Sequence, residues 1–260
     1  MKKRLFAIVL VVVMLVAAVV PVSAYSVRQL NTADALNGLG LFQGRGGTAG
    51  YALDANLTRA EGMALLIRMI GKDEEVKDKT YDTPFVDVPA WAAGYVGYAY
   101  TNQITNGMGA DKFGSDVQLA DNMFLTLVLR ALGYSDAPEK AEFTWDKPYE
   151  LAKKVGLIES AEADSSFTRG DAVVIFWNAL NTKLVGKDIT LAQSLIEQGV
   201  FTAEQFEAAA EVRKSGKADQ EELETDDTDL PRDENDKPTM PDDDDIDRED
   251  PPELEEDVFE

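Results

Sequence analysis

The sequence predicts an all-α, mainly helical fold in which one amphipathic helix recurs three times, and two alignments carry that expectation. The stretch LTRAEGMALLIRMIG at 57–71 returns as LADNMFLTLVLRALG at 119–133 and as FTRGDAVVIFWNALN at 167–181. GLGLFQG (38–44), NQITNG (102–107) and VGLIES (155–160) precede these stretches by a loop, with Leu41, Ile104 and Leu157 at one aligned position.

Each recurring stretch reads as a helix with its own start, stripe and stop. Thr58 stands at an N-cap with Glu61 three residues on, a capping box, and Thr168 with Asp171 repeats it. Apolar residues follow at helical spacing: Met63, Leu66, Ile67 and Ile70; Leu125, Val128, Leu129 and Leu132; Val173, Phe176, Trp177 and Leu180. This predicts a single buried stripe per helix. Gly71, Gly133 and Asn181 come next, two residue types that tolerate a left-handed C-cap. A helix of this length is marginal alone, so each copy is expected to bury its stripe against the others.

In chain order, Lys2, Lys3 and Arg4 precede an apolar run over 5–20, Pro21 and a small-residue site ending at Ala24, the pattern of a cleaved secretory signal over 1–24. No membrane insertion is expected after cleavage. Copy one spans 25–75, copy two 82–136 and copy three 143–186. The glycine-rich GRGGTAG at 44–50 lacks the Lys-Ser or Lys-Thr of a phosphate loop and reads as plain loop. Residues 187–216 read as a helical cap of two short helices, with Thr202 and Gln205 forming another capping box.

From Lys217 the composition changes, with 22 acidic residues against 4 basic ones in 217–260 and prolines at 231, 238, 241, 251 and 252. Such a segment cannot bury enough apolar surface to offset chain entropy, so a disordered, extended acidic tail is expected. Asp242–Asp245 lack the spacing and turn glycine of an EF-hand, which leaves a solvated spacer. The chain is strongly acidic, at −23, and remains acidic without its tail, which excludes nucleic acid as a natural partner.

With no Cys and no His, thiol nucleophiles, disulfides and His-based triads or metal sites are excluded, and no cofactor is implied. Paired carboxylates remain for catalysis, Asp82 with Asp87 or Asp111 with Asp116, but aspartates in glycine-rich turns read first as backbone caps. The chain therefore reads as non-enzymatic. Binding is better motivated. Arg59 and Arg169 fall in the first turn of two equivalent helices, where backbone N–H groups and the dipole favour an anion that a guanidinium fork could clasp. Spacing alone favours the plainer reading, in which Arg59 pairs with a nearby acid such as Glu61 or Asp54.

The segment 84–121 adds FVDV, Trp91 and ITNG in order: Phe85, Asp87, Val88, Trp91, Ala92, Gly107 and Phe113, beside Thr58, Arg59, Ala60 and Glu61 of copy one. In this ordered combination the chain resembles the S-layer homology family over about 25–186. The resemblance implies a pseudo-threefold assembly of three repeats with grooves between them. It implies a non-catalytic module on the bacterial cell wall that binds a secondary cell-wall polysaccharide, often bearing pyruvate ketals. Site residues then carry over as Thr58 and Arg59, Thr168 and Arg169, and Asp87, Trp91 and Gly107, although Trp91 also reads as core. Copy two departs with Ala120 and Asp121 in place of Thr and Arg, and copy three keeps only Phe143 and Trp145 of its opening motif, so at most two working grooves are expected. The alternatives are an acidic interaction protein acting through its tail and a carboxylate-dependent glycan hydrolase.

Overall fold

The computed structural model describes residues 25–44, 50–163 and 166–225, with side chains to 215. The expected signal at 1–24, the loop centre at 45–49 and the tail from 226 lie outside the described residues. The chain divides into units 1–222 and 223–260, the second described only over 223–225.

The fold is mainly helical, in the order α1 (Val27–Gly38), α2 (Arg59–Met69), α3 (Asp73–Val76), a 3-10 turn (Ala90–Ala92) and α4 (Ala93–Thr101). Then come α5 (Asp121–Ala131), α6 (Tyr149–Lys154), α7 (Arg169–Leu180), α8 (Leu191–Glu197) and α9 (Ala203–Thr225). The aligned stretches form α2, α5 and α7. Thr58 and Thr168 cap α2 and α7 through capping boxes with Glu61 and Asp171, whereas Ala120 offers α5 no side-chain cap.

These three helices are buried far beyond one stripe. Nine of the eleven residues of α2, seven of the eleven of α5 and nine of the twelve of α7 are buried. The reason is position: α2 packs on α3, α4 and α5, and α7 packs on α1, α5 and α8. Each aligned helix takes as its partner the first helix of the following copy, α2 with α4 and α5 with α6, and the last closes on the first, α7 with α1. Met63, Leu66, Ile67, Phe124, Leu129, Val173 and Phe176 are sealed at the centre. Full burial of each such side chain contributes on the order of 1.5–3 kcal/mol.

Backbone bonds follow the same cycle. The first two N–H groups of α2 donate to the carbonyls of Val117 and Ser115 (2.9 and 3.1 Å), and those of α7 to Ala55 and Leu53 (2.9 and 2.8 Å). In both cases the acceptors lie four and six residues before the next aligned helix, so one copy's loop satisfies the orphan donors of another copy's helix.

The short first helices share one ending. Leu41, Ile104 and Leu157 donate their N–H to the carbonyls of Leu36, Ala99 and Ala152 (2.9, 2.8 and 2.8 Å), and all three side chains are buried. Before them Gly40, Gln103 and Gly156 take positive φ, 72°, 59° and 84°, a Schellman-type stop. Gln103 thus holds a conformation its two counterparts assign to glycine.

Two expectations are corrected. Gly71 and Gly133 are left-handed, but Asn181 has φ −91°, because Asn181 Nδ2 and Thr182 Oγ1 reach back to the carbonyls of Trp177 and Asn178 (2.9 and 3.0 Å) and satisfy the helix end without a reversal. The expected boundary of the tail at 217 also fails, since α9 runs 23 residues to Thr225. The stretch 217–225 is rich in Glu, Gln and Ala, and the first proline waits until 231, so the helix continues past the change in charge.

The segment after α7 covers the C-terminal ends of the aligned helices. Val185 lies against Gly133 and donates its N–H to Leu132, while Leu195 and Val200 lie against Gly71. Phe206 of α9 stacks on Trp177 at 5.6 Å and on Phe201 at 5.9 Å. Covalent continuity and this closed packing predict one cooperative melting transition. Relief of the left-handed strain predicts that Gln103→Gly raises stability by about 1 kcal/mol in urea titration, with Gly156→Gln falling by a similar amount as its mirror control.

Candidate functional site

Arg59 and Arg169 open α2 and α7 and are only 6% and 7% exposed. Their settings match at Nε. Arg59 Nε donates to the Phe113 carbonyl and Arg169 Nε to the Tyr51 carbonyl, both at 3.0 Å and both eight residues before the next aligned helix. An aromatic ring backs each guanidinium, Phe113 at 4.9 Å and Phe42 at 5.0 Å. Arg169 Nη2 also donates to the Gln43 carbonyl at 3.1 Å.

Electrostatics runs against both arginines. A cation at a helix N-terminus faces the positive end of the dipole, and burial strips its hydration. Burial, followed by the nearby Arg130 charge, pushes the Arg59 pKa down, with Asp87 opposing. Among the described residues no carboxylate lies within ion-pair distance of Arg59, so the pairing with Glu61 or Asp54 is not made. Glu61 instead accepts from the Thr58 N–H at 3.0 Å.

The arginines face grooves between copies. One cleft of about 330 Å³ brings Arg169 together with Arg68, the tenth residue of α2, and with Glu61, Trp91 and Tyr95. Arg130, the tenth residue of α5, is electrostatically coupled to Arg59 and shares a larger cleft, about 670 Å³, with Trp145 and Asn106. The third cleft, about 450 Å³, joins Asp121, the first residue of α5, to Asn178, the tenth of α7, beside Gln29, Glu159 and Asp171. In two of these clefts the first residue of one aligned helix meets the tenth of another, Arg169 with Arg68 and Asp121 with Asn178, while Arg130 bears on Arg59 only through its charge.

Tryptophans mark the two arginine grooves. Trp91 is 54% and Trp145 62% exposed, so the reading of Trp91 as core is overturned: Ala92 turns inward at that end of α4 and Trp91 is left on the groove wall. Asp87 and Gly107 stand away from the groove floor and build its scaffold. Asp87 accepts the N–H groups of Phe113 and Gly114 at 2.8 and 2.7 Å, fixing the turn whose carbonyl holds Arg59. Gly107 has φ 76°, and a Cβ there would overlap the Phe85 ring and the Lys112 carbonyl.

The tenth-position arginines escaped sequence reasoning, and each is braced. Arg68 donates to Asp73 and Tyr95 (both 3.2 Å), and Arg130 grips Asp136 with Nε and Nη2 (2.8 and 2.6 Å). Asp121 is 7% exposed; its carboxylate accepts from its neighbour Asn122's N–H at 2.6 Å and from Tyr149 Oη at 3.2 Å. Burial and that carboxylate push the Tyr149 hydroxyl up to about 12. Among the described residues no group of three or more acidic side chains is arranged to hold a metal ion, and no helix is long and apolar enough to cross a membrane.

No protein-family model matches the chain. Similar proteins are a "Cell surface protein" of Thermoanaerobacter kivui, 30% identical over 166 residues, and a "Middle cell wall protein" of Brevibacillus brevis, 29% identical over 160. A "Surface layer protein" of Brevibacillus choshinensis is 32% identical over 105 residues. These matches cover 59%, 59% and 40% of this chain but only 21%, 15% and 9% of the relatives, so the chain spans a small part of their length.

Asp87 is the group whose titration reads out this scaffold. Burial resists its ionisation, but the backbone N–H groups of Phe113, Gly114 and Ser115 outweigh it and hold the carboxyl below its usual range. That suits a turn clamp; a general acid needs the opposite shift. A depressed carboxyl contributes stability that is complete above its unfolded pKa and is lost as pH falls through the folded value. Wild type is therefore expected to lose more stability than Asp87→Asn as pH drops below about 4, measured by urea titration at stepped pH.

Proposed function

We propose that this chain is a non-catalytic module of the bacterial cell surface that holds an anionic, pyruvylated secondary cell-wall polysaccharide in its two arginine grooves. The observation that carries the reading is the matched burial of Arg59 and Arg169 at helix starts, where a backbone carbonyl on each Nε and an aromatic ring behind each guanidinium hold the two forks in fixed positions. Named surface, wall and surface-layer relatives support the location. A ketal carboxylate would meet the guanidinium fork, the capped helix starts at Thr58 and Thr168 would supply a fixed frame, and Trp91 would offer a sugar face its ring. Asp87 and Gly107 position the loop behind Arg59.

The third groove is assigned no part in anion binding. Asp121 sets the chain's own carboxylate at the helix start where the other copies carry arginine, and a second anion there is repelled.

Titration calorimetry with purified pyruvylated wall polymer tests this, with circular dichroism as the folding control. Arg59→Ala and Arg169→Ala should each weaken binding roughly ten- to a hundredfold, the range for about 1.5–3 kcal/mol from a lost charge-assisted contact. Arg59→Lys should recover only part, keeping charge without the fork. Polymer stripped of its ketals should bind neither arginine groove, and Asp121→Ala should leave affinity unreduced. If both arginine-to-alanine variants bind as wild type while folded, the arginines are structural and the reading fails.

A further inference from the structure

Beyond Arg59, Arg169 and Arg68, which lies over the Tyr95 ring at 5.7 Å, a fourth arginine backed by an aromatic ring lies outside the repeats. Arg213 of α9 sets its guanidinium 5.5 Å from the centre of the Trp177 ring, the same cation-over-ring arrangement as Arg59 and Arg169. It borders a cavity of about 470 Å³ between α9 and the C-terminal end of α7, lined also by Asn178, Asn181, Thr182 and Lys214. Arg213 Nε is buried and has no hydrogen-bond partner, and among the described residues no carboxylate is within ion-pair distance of the guanidinium.

The rest of the lining divides by donor and acceptor. Asn178 Nδ2 and Asn181 Nδ2 are committed to the carbonyls of Leu157 and Trp177 (3.0 and 2.9 Å), and no donor reaches either side-chain oxygen among the described residues. Thr182 Oγ1 likewise donates back into the helix end, 3.0 Å from the Asn178 carbonyl. The cavity therefore offers a fixed guanidinium on one side and two amide oxygens on the other. An unpartnered buried guanidinium N–H calls for an anion, and exposed amide oxygens call for hydroxyl donors. A simple inorganic anion would satisfy only the first.

We infer that this cavity is a second carbohydrate site, separate from the two arginine grooves and bordering the third at Asn178, which takes an acidic sugar: carboxylate on Arg213, hydroxyls on Asn178 and Asn181. Lys214 adds charge at the rim, where it is already paired with Glu211 at 2.7 Å. The site depends on α9 being present, so it belongs to the segment that follows the third repeat. Its ligand carries a carboxylate on the sugar itself, and no pyruvate ketal is required.

The full-length chain is titrated with sodium glucuronate while the arginine Nε–H resonances are followed by nitrogen-15 correlation spectroscopy, Arg213→Lys serving to assign the signal. The Arg213 resonance is expected to move saturably with glucuronate and to stay in place with equal glucose or sodium chloride. The Arg59→Ala, Arg169→Ala double variant should give the same response, which separates this site from the grooves whatever becomes of the wall-polymer reading. Asn181→Ala should weaken the response several-fold, and Arg213→Met should weaken glucuronate binding at least tenfold by calorimetry with the helical circular dichroism retained. An Arg213 resonance that ignores glucuronate, or that moves equally with sodium chloride, overturns the site.

Discussion

The structure depends on closure of a cycle. Each aligned helix is covered by the first helix of the copy that follows it, and α7, which has no following copy, is covered by α1 from the start of the chain. Were α1 removed, the face of α7 that it covers would meet water, with losses on the order of 1.5–3 kcal/mol for each large apolar side chain exposed. The same cycle supplies backbone partners. The N–H groups that begin α2 and α7 are bonded by loops lying 58 and 114 residues away in the chain, counted from Arg59 to Val117 and from Ala55 to Arg169. Burial and hydrogen bonding therefore impose one topology, and no single copy satisfies either alone.

That topology also builds the grooves. Arg169 and Asp121, the first residues of α7 and α5, lie in seams between copies, each against the tenth residue of a different aligned helix. Seam chemistry is then set by positions far apart in sequence: Arg169 with Arg68 in one cleft, Arg130 in a second, from which its charge bears on Arg59, and Asp121 with Asn178 in the third. In the first two seams the cations are braced on their outer sides by Asp73, Tyr95 and Asp136. In the third, the carboxylate of Asp121 relaxes onto the neighbouring N–H and onto Tyr149, and needs nothing further.

What could be read from the sequence was what is local. The capping boxes at Thr58 and Thr168 were legible because donor and acceptor sit three residues apart, and the common position of Leu41, Ile104 and Leu157 because a Schellman stop spans one turn. Pairing of α7 with α1 was not legible, since no pattern within either helix names its partner. Burial of the aligned helices nearly all round follows from that pairing and was missed with it. Arg68 and Arg130 were overlooked for the same reason: on a helix wheel each is an ordinary last-turn cation, and only tertiary structure sets it across a seam from another arginine. Trp91 shows the limit of composition, because a large aromatic early in a helix reads as core until the inward place is taken by Ala92. At the tail, charge composition changes at 217 while helix propensity does not, and α9 runs on past that change to Thr225.

Position one of the aligned helices separates stability from function most sharply. Helix electrostatics favours an acid there, and copy two obeys: Asp121 is bonded, buried and content with the dipole. Copies one and three break the rule with arginine at the same position, then bury it and hold it rigid with a carbonyl and a ring. An arrangement that opposes the local preference twice, while a third copy of the same helix shows that the relaxed solution was available to this fold, accords with the binding role proposed above. The net acidity of the chain repels a polyanion at long range, beyond a Debye length of about 8–10 Å. On the function proposed above, specificity then rests on short contacts to the two fixed guanidinium groups, with general charge repulsion working against every anion that does not make them.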